Sequence, residues 1–424
     1  MPNANMPMDA KVIIADVRFV EHEFVHPLVI SSGTISCLSE AQAEVVVRVG
    51  DVEAAGRGSS YLSDLWAWPD GSLSHAEKDR RLRSLCHEIA VHLGTLCGDE
   101  AAHPLELGMR LHESVCRGDG LPVLARLMCA SPFDAAIHDA VGIALQVSAY
   151  DLYNRPVSLP SIEDYLEGSA CRAIKAVIGR PRRRLKAWYL VGMRDDLRSQ
   201  VVPLMRQAGY RCIKIKLLGR DNKTDVARTV EVFRELTTAT RSIELSVDTN
   251  EANPDSASVL DYLCRLREAD PQAFDALKYL EQPTHRDILA HHHDWHAVSR
   301  MKPVLLDEGL TSLDLLDEAM AQGWSGLALK TCKGHSFALT AAAAARQRGM
   351  AVALQDLTNP GLAFIHAALF ASRVRTINDV ELNSPQFTPA ANAAWERRLP
   401  ELFRPRHGVH RLPKMIPPGL GSAL

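Results

Sequence analysis

From about residue 186 onward, short apolar runs alternate with longer amphipathic segments. The runs are rich in β-branched side chains, as expected for buried strands, whereas residues 225–236, 257–269 and 336–349 carry apolar side chains at helical spacing. Eight strands are predicted, at residues 188–192, 212–217, 243–247, 276–280, 303–306, 326–329, 351–354 and 375–382. Because helices separate the strands, the connections are crossovers and the sheet is parallel. The pattern therefore predicts an α/β fold, an eight-stranded (β/α) barrel of the TIM type.

The chain before residue 155 has a different pattern. Residues 12–24 and 43–49 predict antiparallel strands, and residues 76–96 and 132–152 show the apolar spacing of two helices. Strands followed by helices predict an α+β domain. The predicted domains are an α+β domain at 1–155, the barrel at 156–384, and a proline-rich tail at 385–424 that packs back on the first domain.

Composition excludes several classes of partner. Hydrophobic residues make up 46% of the chain and charged residues 23%, and the net charge is -3, so neither a nucleic acid nor a membrane is an expected partner. The nine cysteines are scattered and never form a C-x-x-C pair, which predicts reduced, buried thiols. The first residues lack the pattern of a signal peptide, and the expected location is the cytoplasm.

Charged and polar residues lie at the carboxyl ends of five of the predicted strands. The carboxyl ends of parallel barrel strands meet at one face, so these side chains are expected to gather there. Residues two apart on a strand share a face, which directs both lysines of the K-x-K string into the barrel. The residues concerned are Lys214, Lys216, Asp248, Asn250, Glu281, Asp307 and Lys330.

Two interpretations of this cluster are open. Lysines and acids could form an inert set of buried salt bridges, since an unpaired buried ammonium is costly. Alternatively, Asp248, Glu281 and Asp307 each supply one oxygen to a divalent metal ion. Oxygen donors without histidine or cysteine favour Mg²⁺, with Mn²⁺ as the second choice.

The ordered strings K-x-K, D-x-N, E-Q-P, D-E and the lysine in "ALKTCKG" resemble the enolase superfamily. Within it, they are similar to the muconate lactonizing enzyme subgroup of the mandelate racemase/muconate lactonizing enzyme family. Residues 135–153 resemble the helix that leads into the barrel in that family. The resemblance implies an enolase-like barrel closed by an α+β capping domain, with three acids that bind Mg²⁺. It also implies dimers or octamers, although nothing in the chain fixes the number.

The resemblance implies that Lys216 and Lys330 face each other as acid and base. Removal of a proton next to a carboxylate creates an enediolate, whose charge Mg²⁺ and a hydrogen bond from Lys214 would stabilise. Burial beside a cation and a second ammonium is expected to lower the pKa of Lys216, which makes it the expected base. The expected enzyme is an isomerase or lyase that acts on a small carboxylate: a racemase, an epimerase or a cycloisomerase.

The predicted substrate contacts are less well defined by the sequence. They are Asn250, Asp356, Glu381 and Tyr61, with further contacts from the capping loops at about 25–35 and 56–65. The Glu-Leu-x-x-Pro string at 381–385 is similar to the muconate enzymes, whereas dipeptide epimerases have Asp-x-Asp there. Asp356 is equally well explained as a carboxylate that caps a loop. Neither the substrate nor the choice among these reactions is encoded in the strings.

Two other functional classes are consistent with parts of the chain. A metal-free barrel lyase or aldolase would use a lysine as a Schiff base, but it leaves the three acids without a role. A noncatalytic binding protein on an inherited barrel is the second alternative. The histidines at 291–296 lie on a predicted helix, and we expect them to form a solvated helix face rather than a metal site.

Overall fold

Three long antiparallel strands begin the part of the chain that the computed structural model describes, namely residues 8–154, 156–240 and 242–424. They are β1 (Ala10–Ile30), β2 (Gly33–Val49) and β3 (Val52–Tyr61), in the order β1-β2-β3. The two predicted strands are confirmed and are longer than expected. The strand β3 was not predicted, and it takes up most of the supposed loop at 56–65. Consequently Tyr61 ends a strand rather than lying within a loop.

Six helices follow the antiparallel sheet. They are α1 (Asp64–Ala67), α2 (His75–Leu96), α3 (Pro104–Cys116), α4 (Val123–Ala144), α5 (Pro160–Glu163) and α6 (Ala170–Val177), with a 3-10 segment at Ala149–Asn154. The predicted helix start at Pro132 is wrong, because α4 begins at Val123 and contains Pro132. Residues 124–142 of α4 are all buried, so this stretch has no polar face from which its helical period could be read.

Helix α4 lies directly on β3 because two glycines leave room for it. A β-carbon added at Gly56 would lie 2.2 Å from the amide nitrogen of Ala140, and one added at Gly58 would lie 2.0 Å from the carbonyl oxygen of Pro132. Such distances are far below van der Waals contact. The two glycines therefore fix how closely the sheet and the helix approach each other.

The second half of the chain forms a parallel sheet of seven strands in chain order, which is a mixed α/β arrangement. A short strand β4 (Arg184–Lys186) precedes it. The seven strands are β5 (Trp188–Val191), β6 (Cys212–Lys216), β7 (Glu244–Asp248), β8 (Leu277–Glu281), β9 (Val304–Leu306), β10 (Gly326–Lys330) and β11 (Ala351–Gln355). Seven of the eight predicted strands are thus confirmed, and each bound lies within one residue of the prediction.

Helices connect these strands, as expected for crossovers. They are α7 (Val202–Ala208), α8 (Asn222–Thr237), α9 (Ser256–Ala269), α10 (Pro271–Ala276), α11 (His296–Ser299), α12 (Leu316–Ala321), α13 (His335–Gln347) and α14 (Gly361–Arg373). A π-helical turn at Leu197–Val201 precedes α7, and 3-10 segments lie at Leu313–Leu315 and Thr331–Lys333. The histidines at 291–293 lie before α11 and outside any helix, so the predicted helix there is wrong.

The eighth predicted strand, at 375–382, is replaced by an irregular segment. Its backbone pairs with β11 through a parallel bridge between Gln355 and Glu381 and through the Ile377 N–H, which donates to the Val352 carbonyl at 2.8 Å. The side chain of Asn378 takes the place of a strand: its Oδ1 accepts the Leu354 N–H at 3.0 Å, and its Nδ2 donates to the Leu354 carbonyl at 2.9 Å. Asp379 adopts a positive φ of 60°, which interrupts an extended conformation.

On the other edge of the sheet, the side-chain amide of Gln386 forms two hydrogen bonds with the main chain of β5. Its Oε1 accepts the Leu190 N–H at 3.1 Å, and its Nε2 donates to the Leu190 carbonyl at 2.8 Å. Trp188 Nε1 also donates to the Asn378 carbonyl at 2.7 Å. The irregular segment therefore lies between the two edge strands. It bonds to β11 through main-chain groups of Ile377 and Glu381 and through the side chain of Asn378, and the side chain of Gln386 bonds to β5.

The chain after residue 384 is more regular than the predicted tail. It forms α15 (Ser384–Phe387), α16 (Pro389–Arg398), α17 (Pro400–Phe403) and β12 (Val409–Arg411), and β12 pairs antiparallel with β4. Its end contacts α4, since the Leu420 N–H donates to Asp139 Oδ1 at 2.6 Å. None of the helices in the described part of the chain combines the length and apolarity needed to cross a membrane.

Candidate active site

One cavity at the carboxyl ends of the parallel strands is lined by all ten residues that the sequence analysis assigned to a site. Side chains from the antiparallel sheet and from α1 complete its wall. The ten residues are Tyr61, Lys214, Lys216, Asp248, Asn250, Glu281, Asp307, Lys330, Asp356 and Glu381, and the added wall residues include Leu28, Ile30, Ile35, Ser63 and Trp66.

The three acids lie side by side because their strands are adjacent and parallel. Asp248 and Glu281 are the last residues of β7 and β8 and are paired in the sheet, and Asp307 directly follows β9. All three are nearly inaccessible to solvent, with exposed fractions of 1%, 2% and 0%. A buried carboxylate must be compensated by a cation or by hydrogen-bond donors.

Lys214 compensates three of the carboxylates in this structure. Its Nζ lies 2.5 Å from Glu281 Oε2 and 3.2 Å from both Asp248 Oδ2 and Glu381 Oε2. Burial disfavours the ammonium, but the three carboxylates outweigh this effect and raise the pKa of Lys214 well above its ordinary value. Lys214 is therefore a fixed positive charge and a hydrogen-bond donor.

Lys216, two residues further along β6, lies at the more open side of the cavity. Its Nζ is 2.5 Å from Asp248 Oδ2 and 2.8 Å from Asn250 Oδ1. The side chain of Lys216 is 13% exposed, against 5% for Lys214 and Lys330. Lys216 thus has fewer charged neighbours and more access to a ligand.

Lys330 approaches from β10, which three strands separate from β6 in the sheet. Its Nζ lies 2.8 Å from Asp307 Oδ2 and donates to Gln355 Oε1 at 2.7 Å. Burial disfavours its charge, but Asp307 and Glu281 prevail and raise the pKa of Lys330. Because the sheet is curled, the two lysines approach the cavity from different sides.

Three residues that the sequence analysis did not assign to the site form hydrogen bonds with its lysine and acidic residues. Gln355 links Lys330 to Glu281, to which its Nε2 donates. Lys333 donates to the Asp307 carbonyl at 2.5 Å, and its Nζ is 3.1 Å from Asp307 Oδ1. Tyr279 donates to Glu381 Oε1 at 2.8 Å. Gln355 could have been identified by the same signal as the acids, since it is a polar residue that ends a buried strand.

Trp66 and Glu308 form a further contact across the cavity. Trp66 Nε1 donates to Glu308 Oε1 at 3.1 Å, and Asn250 Nδ2 donates to the same oxygen at 3.3 Å. Burial, followed by the charges of Asp307, Glu251 and Asp248, raises the pKa of Glu308 to about 8. The D-E string named Glu308 in the sequence, but nothing there indicated its contact with Trp66.

Asp356 combines its two predicted roles, since it lines the cavity and also caps a loop. Its Oδ1 accepts the Thr358 N–H at 2.9 Å, and Thr358 has a positive φ of 61°. Burial is the main cause that raises the pKa of Asp356 to about 7. Tyr61 is anchored by its N–H to Asn359 Oδ1 at 2.7 Å, and its hydroxyl donates weakly to the Cys37 carbonyl at 3.4 Å.

The donor chemistry of this cluster fits a divalent cation such as Mg²⁺. Asp248, Glu281 and Asp307 present buried oxygens on adjacent strands. Asp307 Oδ2 accepts no aligned hydrogen bond, although Lys330 Nζ lies within ion-pair distance of it. As the side chains stand, ammonium groups lie between the carboxylates, and the described residues contain no set of three metal-binding side chains already arranged around a common point.

Comparison with known proteins identifies the family. The sequence profile described as "Enolase C-terminal domain-like" matches residues 196–424, more than half of the chain. The chain belongs to this family. The resemblance drawn from the five strings is thereby confirmed at the level of the enolase superfamily. A comparison with curated protein sequences finds no match.

Solved structures share the fold of this enolase-superfamily chain at low sequence identity. A dipeptide epimerase from Enterococcus faecalis V583, complexed with Mg and L-Leu-L-Tyr, has a TM-score of 0.67 and 16% identity, with coverage of 97% of this chain and 99% of its own. A muconate lactonizing enzyme from Pseudomonas fluorescens, complexed with muconolactone, has a TM-score of 0.64 and 19% identity, with coverage of 97% and 96%. A Bradyrhizobium enolase complexed with magnesium and mandelic acid has a TM-score of 0.63 and 20% identity, with coverage of 97% and 95%.

Proposed function

We propose that this protein is a Mg²⁺-dependent isomerase or lyase that removes the α-proton of a small carboxylate. The observation that carries the proposal is the arrangement of two lysines, on β6 and β10, on different sides of three buried carboxylates. Lys216 and Lys330 are the proposed acid and base. The reaction would be a racemisation, an epimerisation or a cycloisomerisation.

Asp248, Glu281 and Asp307 are the proposed metal ligands. When bound, Mg²⁺ would supply positive charge to the substrate carboxylate and so lower the cost of removing the neighbouring proton. A cation at the three acids would also take over charge compensation that Lys214 and Lys330 provide in this structure. The ammonium groups would then be available to the substrate.

Lys216 is the proposed base. Asn250 Oδ1 accepts from its Nζ at 2.8 Å and holds the group beside Asp248. Lys216 is the most accessible lysine of the cluster, so it can contact a ligand while it keeps its contacts with Asp248 and Asn250. Lys216 Nζ takes the α-proton, and the electrons move into the carboxylate to give an enediolate.

Lys214 and Lys330 complete the proposed chemistry. Lys214 stays charged beside the three carboxylates and donates a hydrogen bond to the developing negative oxygen. Lys330, held by Gln355, returns a proton to the other side of the planar intermediate. Return from the opposite side inverts the carbon, whereas a reaction that uses one lysine alone gives elimination or cycloisomerisation.

The antiparallel sheet closes the site above the lysines. Apolar side chains of β1 and β2, together with Trp66, line the cavity opposite the strand ends. Exclusion of water strengthens each electrostatic interaction inside the cavity. We therefore assign residues 1–155 as the capping domain, 156–384 as the catalytic domain and 385–424 as a segment that packs back on the cap. Asn250, Asp356, Glu381 and Tyr61 are the proposed substrate contacts, and a homo-oligomer is the proposed assembly.

Hydrogen exchange in D₂O tests the proposal without knowledge of the product. Acid sugars, muconates, N-acyl amino acids and dipeptides are incubated with the protein, and deuterium at the α-carbon is measured by mass spectrometry or NMR. We expect exchange that a chelator abolishes and Mg²⁺ restores. Lys216→Ala and Lys330→Ala should each lower turnover by about 10³-fold. Lys223→Ala, an exposed lysine on α8, is the matched control and should have no effect.

Three results would overturn the proposal. Near-native turnover of a substrate by both lysine variants would exclude the two-lysine mechanism. If borohydride traps a covalent adduct between a lysine of the protein and a carbonyl substrate, and turnover needs no Mg²⁺, the protein uses Schiff-base chemistry instead. Absence of exchange from the whole panel, together with no detectable binding of Mg²⁺, would leave the cluster as a set of structural salt bridges.

A further inference from the structure

A second and larger cavity lies outside the site described above, between the β1–β2 turn and the start of α2. We call it the hairpin cavity. It has a volume of about 390 Å³ and is lined by residues from 32–37 and 64–78. Ile35 lines both cavities, so the two lie on opposite sides of one side chain. None of the lysines proposed for proton transfer lines the hairpin cavity.

Three side chains of the hairpin cavity form a nucleophile, base and carboxylate series. Cys37 Sγ lies 3.8 Å from His75 Nε2, and His75 Nδ1 lies 3.1 Å from Asp64 Oδ1. The three residues come from the turn end of β2, the first position of α2 and the first position of α1. In cysteine-dependent acyl transfer, a histidine takes the thiol proton and a carboxylate or amide orients the histidine.

The exposure of the three side chains matches these roles. All nine cysteines lie in the described residues, and Cys37 alone is exposed, which contradicts the prediction that every thiol is buried. The side chain of His75 is 51% exposed, while that of Asp64 is 6% exposed. Asp64 is therefore a fixed orienting group, and the thiol and the imidazole are open to a ligand.

The surroundings of Cys37 make a base necessary. Partial burial and the carboxylates Glu21, Asp64, Asp79 and Glu23 raise the pKa of the thiol. Cys37 is thus a protonated thiol at rest. A nucleophilic thiolate forms there only if a neighbouring group accepts the proton, and His75 is the group within reach.

Lys78 places a cation in the wall of the hairpin cavity, opposite in charge to the carboxylates that surround Cys37. Lys78 lines the cavity and is 2% exposed, and its ammonium has neither a hydrogen bond nor an ion pair with any described residue. Asp70, at the rim, accepts the Ser72 N–H at 2.8 Å, and hydrogen bonds with Ser72 together with the charge of Lys78 lower the pKa of Asp70. The Lys78 ammonium is therefore a cation in the cavity wall with which an anionic ligand would pair.

We propose that Cys37, His75 and Asp64 form a second reactive site, which accepts the acyl group of small acyl esters or thioesters that carry a negative charge. Cys37 is the nucleophile, His75 the general base and Asp64 the positioning residue. Lys78 binds the charged end of the acyl group. The assignment is independent of the Mg²⁺ site.

The proposed reaction needs only water as a second reactant. His75 takes the proton of the Cys37 thiol, and the sulfur forms a bond with the acyl carbon. The bond from that carbon to the alcohol or thiol leaving group breaks, and the leaving group takes the proton from His75. Water then attacks the acyl-cysteine with His75 as the base, which releases the carboxylic acid and restores the thiol.

The test uses the full chain in the presence of EDTA and two probes, neutral 4-nitrophenyl acetate and anionic 4-nitrophenyl hydrogen succinate. Release of 4-nitrophenolate is followed by absorbance in a stopped-flow instrument, and peptide mass spectrometry locates the acyl group. We expect a burst of one equivalent per chain with acylation at Cys37. Cys37→Ser should abolish the burst, whereas Cys264→Ser, a half-buried cysteine on α9, is the control and should keep it.

Two further variants separate a reactive site from an exposed thiol. His75→Gln should slow acylation about 100-fold at pH 7, since general base catalysis contributes about 10²-fold or more. Lys78→Met should slow the succinate probe about 10-fold and leave the acetate probe unchanged. If Lys78→Met does not fold, Lys78→Gln is used instead. Acylation spread over several cysteines, or an unchanged rate in His75→Gln, would overturn the site, and equal effects of Lys78→Met on both probes would overturn its preference for anions.

Discussion

The indole ring of Trp66 lies over the ammonium of Lys330, with 5.6 Å between Nζ and the ring centroid. Trp66 belongs to α1, beside the antiparallel sheet, whereas Lys330 ends β10 of the parallel sheet. The contact therefore joins the two halves of the chain directly above the carboxylates. A cation over an indole face is stabilised by about 0.5–2 kcal/mol, depending on its desolvation.

Substitution of Trp66 should separate the ring contact from the hydrogen bond. Trp66→Phe keeps an aromatic face but loses the N–H that Glu308 accepts, and we expect a loss of about 1 kcal/mol in the free energy of unfolding. Trp66→Leu loses both, and about 3 kcal/mol is expected. Urea denaturation of both variants provides the measurement. Equal losses would show that the ring over Lys330 contributes nothing measurable.

The contact between β3 and α4 predicts a large effect from one methyl group. Gly58→Ala would place a β-carbon 2.0 Å from the Pro132 carbonyl, so the helix must move, and we expect a loss of about 3 kcal/mol or more. Gly71→Ala is the matched control, because no heavy atom lies within 4 Å of its added β-carbon. The control should change the free energy of unfolding by less than about 0.5 kcal/mol. A similar melting temperature for the two variants would contradict the close approach.

Addition of Mg²⁺ should raise the melting temperature. A ligand that binds only the folded protein at a hundred times its Kd stabilises it by about 2.7 kcal/mol. Glu281→Gln removes one proposed ligand and should abolish the increase, whereas Glu53→Gln, on the half-exposed end of β3, should keep it. Calorimetric titration with Mg²⁺ checks the same point directly. An equal increase in the Glu281→Gln variant would place the ion elsewhere.

His103 should make the protein sensitive to acid. Its Nδ1 accepts the Leu105 N–H at the start of α3, and Nε2 faces the Leu152 carbonyl at 3.3 Å. Burial is the main cause that lowers its pKa from 6.5 to about 4. Between pH 6.5 and pH 4 the unfolded chain binds a proton that the folded chain does not. The contribution of neutral His103 to the free energy of unfolding is therefore complete above pH 6.5 and is lost as the pH falls toward 4.

The comparison variant for this effect is His103→Asn, which keeps a side-chain acceptor for the Leu105 N–H. The stability of the wild type relative to this variant should fall by about 2 kcal/mol between pH 7 and pH 5. Denaturation at a series of pH values measures this difference and cancels the titration of other groups. A constant difference across the range would show that His103 is not kept neutral by burial.

The second half of the chain could be predicted well because its signals are local. Each strand is a short apolar run that ends in a polar residue, and parallel strands bring those ends together whatever the helices between them do. This is why the prediction placed residues such as Asp248 and Lys216 in one cavity. The neutralisation of the carboxylates by Lys214 and Lys330 depends on side-chain rotamers, which spacing does not determine.

The failures have specific physical causes. Helix α4 is buried on all sides, so its sequence lacks the alternation of apolar and polar faces that would have indicated a start at Val123. The segment after α14 is apolar enough to be predicted as a strand, but Asn378 bonds to β11 through its side chain and Asp379 reverses φ. Cys37 was predicted to be buried because cysteine usually is, and its pairing with His75 depends on a contact 38 residues apart in sequence.

The seam between β5 and β11 differs from the other seams of the parallel sheet. Elsewhere, neighbouring strands pair through main-chain hydrogen bonds. At this seam, the side chain of Asn378 adds to main-chain hydrogen bonds on the β11 side, whereas on the β5 side the side chain of Gln386 bonds to the main chain of Leu190. A change of Gln386 therefore removes the hydrogen bonds between this segment and the main chain of β5, whereas the main-chain bonds of Ile377 and Glu381 to β11 remain.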